Sequence, residues 1–221
     1  MSFCPVCFKS KASCLCEYIK PFDSQIKFVL LMHPKEARQM RTGTGRLTKL
    51  TLLNSEVIIG EEFSNNERLK ELLADNQYFP LLLYPGVDAY TAKELKPLVT
   101  DKKLLIIVID GTWFLANKMI RLSPNLKELN KISFTSGYRS QFKFKHQPQE
   151  ECLSTIESCY YLIKELQGSE VISSSFSPEP LMEVFNRMVD FQLECEQLRH
   201  TLIGYKRDTV RIPLEELKQK L

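Results

Sequence analysis

Three long runs of apolar residues constrain the fold of this chain more than any other feature of its sequence. They span residues 26–32, 79–84 and 104–109, and two shorter runs lie at 57–59 and 132–134. The apolar residues mostly follow one another instead of alternating with polar ones, which is typical of parallel strands covered on both faces. The runs therefore predict a mostly parallel sheet that is buried between layers of helices.

Helical patterns separate these runs, at residues 47–53, 67–74, 91–99 and 113–121. This alternation of strand and helix indicates an α/β fold with flanking helices. The C-terminal third carries two more apolar stripes at helical spacing. The first begins near Leu153, and the second follows Pro178 and Pro180.

The composition is that of an ordinary globular protein, with 43% hydrophobic and 26% charged residues. A length of 221 residues suggests one sizeable domain with a small addition, which we place at residues 21–221 and 1–20. No apolar run approaches the ~20 residues of a membrane-spanning helix, and no apolar segment follows Met1. We therefore expect a cytoplasmic protein without a membrane anchor, where clustered cysteines hold metal more often than they form disulfides.

The net charge of +3 conceals an uneven distribution along the chain. Lys and Arg counted against Asp and Glu give +6 for residues 1–50 (9 and 3), −4 for 51–100 (4 and 8), +5 for 101–150 (9 and 4) and −4 for 151–221 (8 and 12). Two basic blocks can form a surface for a polyanion such as RNA if folding brings them together. Solvated faces give the same pattern, and charge alone leaves both interpretations open.

Four cysteines crowd into the first 16 residues, as Cys4-x2-Cys7-x6-Cys14-x-Cys16. A Cys-x2-Cys turn directs two thiolates at one ion, and a nearby pair can complete a tetrahedral zinc site. So short and polar a segment cannot bury enough apolar surface to fold alone, and bound zinc would supply the missing stability. A redox dithiol and unstructured thiols are the alternatives.

Asp110 directly follows the most apolar run and opens the motif Asp110-Gly111-Thr112-Trp113. Ligands of open α/β sheets gather at the carboxyl ends of strands, so Asp110 is a candidate catalytic or ligand-binding carboxylate. Gly111 permits the close approach of a ligand, and Thr112 can cap the following helix. The structural alternative is a capped helix with Trp113 in the core.

Two other motifs mark turns. Tyr84-Pro85-Gly86 ends a second apolar run and fits a tight turn in which Gly86 takes a positive φ. Ser154-Thr155-Ile156-Glu157 has the form of a capping box, which predicts that a helix begins there. A purely structural role is the default for both. The histidines, among them His33, are too scattered to form a ligand set and are interpreted as surface or core residues.

Cations cluster in two segments that suit nucleic-acid phosphates. One follows the first apolar run and is interrupted by glycines; the other interleaves cations with aromatic residues and is equally consistent with an exposed amphipathic strand. The candidates for phosphate contact are Lys35, Arg38, Arg41, Arg46, Lys143 and Lys145.

Taken in order, these motifs resemble the DTW-domain family, which is named after its Asp-x-Thr-Trp motif. The resemblance covers nearly the whole chain. Besides the cysteines and the Asp110 motif it rests on His33-Pro34-x-Glu36, Thr44-Gly45, Tyr84-Pro85-Gly86 and Leu153-Ser154-Thr155-x-Glu157.

The resemblance implies a knotted α/β fold related to the SPOUT RNA methyltransferases. It also implies S-adenosylmethionine as donor of its 3-amino-3-carboxypropyl group to the ring imide nitrogen of a tRNA uridine, in the variable loop, with release of methylthioadenosine. Asp110 would then be the base or an electrostatic anchor for the donor. The expected donor pocket consists of Tyr84, Pro85, Gly86, Asp110, Gly111, Thr112, Trp113, Leu153, Ser154 and Thr155.

Two other functions remain open at this point. A SPOUT-like methyltransferase would use the same donor with a different carbon presented to the RNA. A zinc-knuckle RNA-binding protein would bind tRNA without turnover. SPOUT-like relatives often dimerise, and we expect a monomer or a weak homodimer.

Overall fold

A five-stranded parallel sheet forms the centre of the computed structural model, which describes residues 3–38, 43–99, 101–135, 137–142 and 153–203. The strand order is β2-β1-β4-β3-β5, and every neighbouring pair is parallel. The strands are β1 (Lys27–Met32), β2 (Ser55–Ile59), β3 (Tyr78–Leu83), β4 (Lys103–Asp110) and β5 (Lys131–Ile132). The predicted α/β fold with a mostly parallel sheet is confirmed.

Helices cover both faces of the sheet. They are α1 (Pro34–Arg38), α2 (Gly45–Thr51), α3 (Glu67–Ala74), α4 (Ala92–Leu95), α5 (Trp113–Leu122), α6 (Pro124–Lys127), α7 (Thr155–Gly168) and α8 (Glu179–Ile203). Short 3-10 turns occupy Lys11–Ser13 and Cys16–Tyr18. Among the described residues, no helix is long and apolar enough to cross a membrane.

Two predicted elements are shorter than the sequence indicated. The helix expected at 91–99 is α4 alone, because Pro97 has no N–H group to continue the helical hydrogen bonding. The strand expected at 132–134 is β5, which ends at Ile132.

Neighbouring residues of the central strands enter opposite cores, as the pleat of a strand requires. Phe28, Leu30 and Ile106 belong to one apolar cluster, which α2, α7 and α8 cover. Val29 and Ile107 belong to a second cluster on the other face, together with residues of α3, α5 and α6. Burial on both faces explains why the sequence of these strands is continuously apolar.

The cysteine segment packs onto this domain. Cys7 and Leu15 are buried in the same cluster as Phe28. A bridge between Phe3 and Ser10 closes the loop around the first cysteine pair. The division of the chain at residue 20 stays a prediction.

The topology has a switch point between β1 and β4, where a ligand-binding crevice is expected. The chain leaves β1 towards β2 at one side of the sheet and leaves β4 towards β5 at the other. Ligands of open α/β sheets bind where neighbouring strands lead away in opposite directions, outside their carboxyl ends. The backbone N–H of His33 donates to the carbonyl oxygen of Asp110 at 2.9 Å, so these two residues sit side by side at that point.

Candidate active site at the carboxyl ends of the strands

Asp110 is the last residue of β4, and its side chain turns into the protein. Only 6% of the residue is exposed. The hydroxyl of Thr155 donates to Asp110 Oδ1 at 2.5 Å. Thr155 is the first residue of α7, so the carboxylate also lies at the positive end of a 14-residue helix. A carboxylate held in this way is fixed in orientation.

Gly45, the first residue of α2, approaches the same carboxylate. A Cβ atom at this position would overlap Asp110 and would lie 2.6 Å from its Cγ. Only glycine leaves room for the carboxylate in this arrangement. Gly45 of the Thr44-Gly45 pair therefore forms one wall of the Asp110 site.

Glu157 organises the start of α7. It accepts the backbone N–H of Ser154 at 2.9 Å and the Ser154 hydroxyl at 2.6 Å, which confirms the predicted capping box. The fully buried carboxylate also accepts the Ser140 hydroxyl at 2.8 Å and the Gln141 N–H at 2.6 Å. Glu157 thus joins residues 137–142 to the helix that holds Asp110, a long-range role that the local motif could not reveal.

His33 begins a second polar group at the strand ends. The side chain is buried, and its Nδ1 accepts the backbone N–H of Lys35 at 3.1 Å. Its Nε2 lies 3.3 Å from Glu61 Oε1 and makes no hydrogen bond within the described residues. Glu61 also pairs with Lys118 at 2.5 Å, and this hydrogen bond lowers the pKa of the glutamate.

His33 was not among the residues predicted for the site. One feature of the sequence could have indicated it. His33 is a polar residue directly after the first buried strand, and that strand pairs with the one that ends at Asp110.

Tyr84 and Trp113 form an aromatic surface beside this edge. Their rings are parallel within 2°, with centroids 6.1 Å apart. The Tyr84 hydroxyl donates to Asn117 Oδ1 at 2.6 Å, and burial raises the pKa of the tyrosine. Trp113 is 40% exposed and Phe114 is 77% exposed, so the structural alternative that placed Trp113 in the core is wrong.

The remaining members of the predicted donor pocket lie at turns. The positive φ predicted for Gly86 is wrong: its φ lies outside the left-handed region, because Gly86 begins a turn in which its carbonyl oxygen accepts the N–H of Ala89 at 3.2 Å. A Cβ at Gly86 would approach Asp88 Oδ1 at 2.9 Å, and Asp88 in turn pairs with Lys131 at 2.9 Å. The Thr112 hydroxyl accepts the N–H of Leu115 at 3.4 Å and caps α5 as predicted. The structure thus brings Asp110 together with Thr155, and Tyr84 together with Trp113.

The four N-terminal cysteines converge on one point. All four Sγ atoms lie within 4.8 Å of one another; Cys4 and Cys16 are 3.5 Å apart, and Cys7 and Cys14 are 3.7 Å apart. A zinc ion with Zn–S bonds of about 2.3 Å at tetrahedral angles requires sulfur separations of roughly 3.8 Å, so the arrangement fits such an ion. Hydrogen bonds from the backbone N–H groups of Cys7 and Val6 lower the pKa of Cys4 to about 6.

The predicted phosphate-binding cations fall into three groups. Lys35 and Arg38 are exposed on α1, directly after His33. Arg46 is half-buried, and its guanidinium lies 3.7 Å from the centre of the Phe8 ring. Three candidates lie outside the described residues: Arg41, Lys143 and Lys145.

Fold and site together define an α/β protein with a buried aspartate at the switch point of a parallel sheet and a four-cysteine cluster packed on the same domain. The sequence profile described as the DTW domain matches residues 1–193. The chain belongs to the DTW domain family.

Three relatives carry the name tRNA-uridine aminocarboxypropyltransferase 2. Those from Mus musculus and Macaca fascicularis are 26% and 25% identical over 197 residues, which are 86% of this chain. The relative from Drosophila melanogaster is 26% identical over 205 residues, covering 89% of this chain and 77% of its own length. The matched region spans only 63% of the mouse and macaque proteins. No solved structure matches the chain.

Proposed function

We propose that this protein transfers the 3-amino-3-carboxypropyl group of S-adenosylmethionine to the ring imide nitrogen of a uridine in tRNA, in its variable loop. The observation that carries the proposal is the buried carboxylate of Asp110, held by Thr155 at the switch point of the sheet. The printed names of the relatives supply the reaction class.

The reaction needs orientation and a place for one proton. The sulfonium donor supplies an activated carbon: as the uridine nitrogen bonds to it, the carbon–sulfur bond breaks, its electron pair stays on sulfur, and methylthioadenosine leaves. Because more than one carbon of the donor is activated, the pocket must select the one that meets the nucleophile. The imide nitrogen loses a proton in this step, and Asp110 is the group proposed to accept it.

Asp110 has a second possible role, as the electrostatic partner of the donor's positive charge. The pH dependence of the variant Asp110→Asn distinguishes the two roles. If Asp110 is the base, raising the pH restores part of the rate, because the imide then ionises without help. If it is the anchor, the loss falls on donor affinity and a higher pH restores nothing.

The residues of the proposed donor pocket suit its chemistry. The aromatic surface of Tyr84 and Trp113 can stack on an adenine or face a sulfonium. The turns at Pro85 and Gly86, at Gly111 and Thr112, and at Leu153 and Ser154 would supply backbone groups around it. Thr155 would keep the Asp110 carboxylate turned towards the reacting groups.

Lys35 and Arg38, which are exposed beside the strand ends, are the proposed contacts to tRNA phosphates. Contacts from Arg41, Arg46, Lys143 and Lys145 stay predictions. Phe114, whose ring is exposed, is proposed to stack on an unpaired base.

Zinc bound by Cys4, Cys7, Cys14 and Cys16 is proposed as a structural ion, because four thiolates leave no open coordination position for chemistry. The SPOUT relationship and its knot, the cytoplasmic location and a monomeric or weakly dimeric state belong to the same proposal. The order and parallel direction of the strands support the SPOUT relationship.

Donor labelled separately in its methyl group and in its aminocarboxypropyl chain tests the proposal. Purified protein, tRNA and each donor should place the chain label in the RNA and leave the methyl label in the released thioether. Methyl label in the RNA would establish the methyltransferase instead. Tight tRNA binding with neither label transferred would establish a binding protein.

A further inference from the structure

Arg46 links the cysteine segment to the wall of the Asp110 site. It is the second residue of α2 and follows Gly45 directly. Its guanidinium stacks on Phe8, which lies between the first and second cysteine pairs of the cluster. Its Nε is buried and has no hydrogen-bond partner within the described residues. Burial costs this N–H group its hydration, and a negative charge nearby would offset that cost.

The cysteine cluster provides that charge when it holds a metal. Four thiolates around a divalent cation leave a net charge of −2 on the site. Cys7, next to Phe8 in the chain, is fully buried, which limits the screening of its charge by water. Burial lowers the pKa of Arg46, and the charge of Cys7 is the influence that opposes this.

A second contact supports the same connection. Lys9 is only 5% exposed; its Nζ donates to the carbonyl oxygen of Gly43 at 3.5 Å and lies 3.9 Å from Met188 Sδ in α8. The cysteine segment therefore holds residues 43 and 46, on both sides of Thr44 and Gly45. Gly45 has no space to shift towards Asp110, since even a Cβ would overlap the carboxylate.

We propose that the metal-loaded cysteine segment positions the active site through Arg46, which acts as the counter-charge of the four thiolates and holds the start of α2 against Asp110. Arg46 is thus a positioning residue. The functional consequence rests on the proposed role of Asp110, but the coupling between metal and helix does not.

Two measurements on the full zinc-loaded chain test this coupling without any turnover. The first is zinc affinity, by competition with a chromophoric chelator; the second is hydrogen exchange of the amides of residues 45–51. Arg46→Met should weaken zinc binding about tenfold or more, as loss of a group supporting metal ligands commonly does, and should speed exchange in α2. Chelation of the wild type should speed the same amides, because coupling between two sites is reciprocal.

Two variants serve as references. Arg121→Met removes an exposed arginine from α5 and should change neither quantity. Arg46→Lys keeps the charge without the planar stacking group and should lie between wild type and Arg46→Met. If Arg46→Met does not fold, the wild type with and without zinc and Arg46→Lys decide the question.

The coupling requires both changes, in zinc affinity and in exchange of α2; the absence of either overturns it. Product analysis then separates this inference from the proposed function. A chain with both changes and no aminocarboxypropyl product keeps the coupling and loses the function. A chain that forms the product, but whose hydrogen exchange in α2 does not change with zinc, keeps the proposed function and loses the coupling.

Discussion

The hydroxyl of Thr155 donates a hydrogen bond to the carboxylate of Asp110, which lies 45 positions earlier in the sequence, at an O–O distance of 2.5 Å. This hydrogen bond joins the end of the central strand to the start of α7, and it fixes the carboxylate on which the proposed chemistry depends. Each residue alone has an ordinary structural explanation, as a strand end or a helix start. Their contact makes the carboxyl end of β4 the candidate active site.

Thr155→Val removes the donor and keeps the shape of the side chain. A hydrogen bond to a charged group contributes about 1.5–3 kcal/mol, so we expect kcat/KM to fall roughly 10- to 100-fold. Steady-state transfer to tRNA measures this. Thr155→Ser retains a hydroxyl and should keep most of the rate. A Val variant as active as wild type would show that the hydrogen bond is not needed for turnover.

Gly45→Ala places a methyl group where the Asp110 carboxylate now lies. Overpacking of this kind costs about 1–3 kcal/mol, and we expect that loss in the free energy of unfolding in urea, together with loss of transfer. Gly43→Ala is the matched control, because a Cβ there meets nothing within 4 Å. Equal behaviour of the two variants would contradict the close approach of α2 to Asp110.

Cys7→Ser should abolish stoichiometric metal binding. Elemental analysis of the wild type should find about one zinc per chain, and removal of that ion should lower Tm, because the binding free energy contributes to folding. Cys195→Ser, in α8 and outside the cluster, should retain the metal. Wild-type protein without metal and with four reactive thiols would exclude the zinc site.

The charge of Glu56 makes the free energy of unfolding depend on pH. Burial alone would raise the pKa of this glutamate, but hydrogen bonds from Arg68 and Lys27 outweigh burial and lower it. A carboxyl group with a lowered pKa in the folded state stabilises above its unfolded pKa of about 4.3, and that contribution disappears as the pH falls through the folded value.

Urea unfolding of the wild type between pH 7 and pH 3 should therefore show a loss of stability that is shallower in Glu56→Gln. Glu67→Gln, which removes an exposed pair with Lys70, should leave the slope nearly unchanged. Identical acid dependence in the wild type and Glu56→Gln would contradict the assignment.

Arg38→Glu should weaken tRNA binding and reduce its dependence on salt. Each phosphate contact adds about 0.7–0.9 to the slope of log affinity against log salt, so reversal of one contacting cation should lower the slope by about 1. Lys102→Glu changes an exposed cation before the amino end of β4, at the opposite edge of the sheet, and is the control. An unaltered slope in Arg38→Glu would remove α1 from the tRNA surface.

The architecture was predictable because its signals are local. Strands buried on both faces must be apolar throughout, and this pattern located β1, β3 and β4 closely. The same logic was weaker for β5, where two residues leave almost no pattern, and for α4, where Pro97 ends a longer apolar periodicity.

The site was predictable only in part, because its contacts join distant segments. Asp110 and the start of α7 were each marked by a motif, whereas the fit of Gly45 against Asp110 depends on tertiary packing. Arg46 was predicted as one phosphate-binding cation among several. Its stacking on Phe8 could not be predicted, because the sequence does not show which of the cations contacts an aromatic ring.

The nucleosides of tRNA from cells with and without this protein test the central claim most directly. Mass analysis should find a uridine carrying an aminocarboxypropyl group in the first and not in the second. A wild-type copy should restore it, and an Asp110→Asn copy should not. An unchanged set of nucleosides, or the loss of a methylated uridine in its place, would contradict the account.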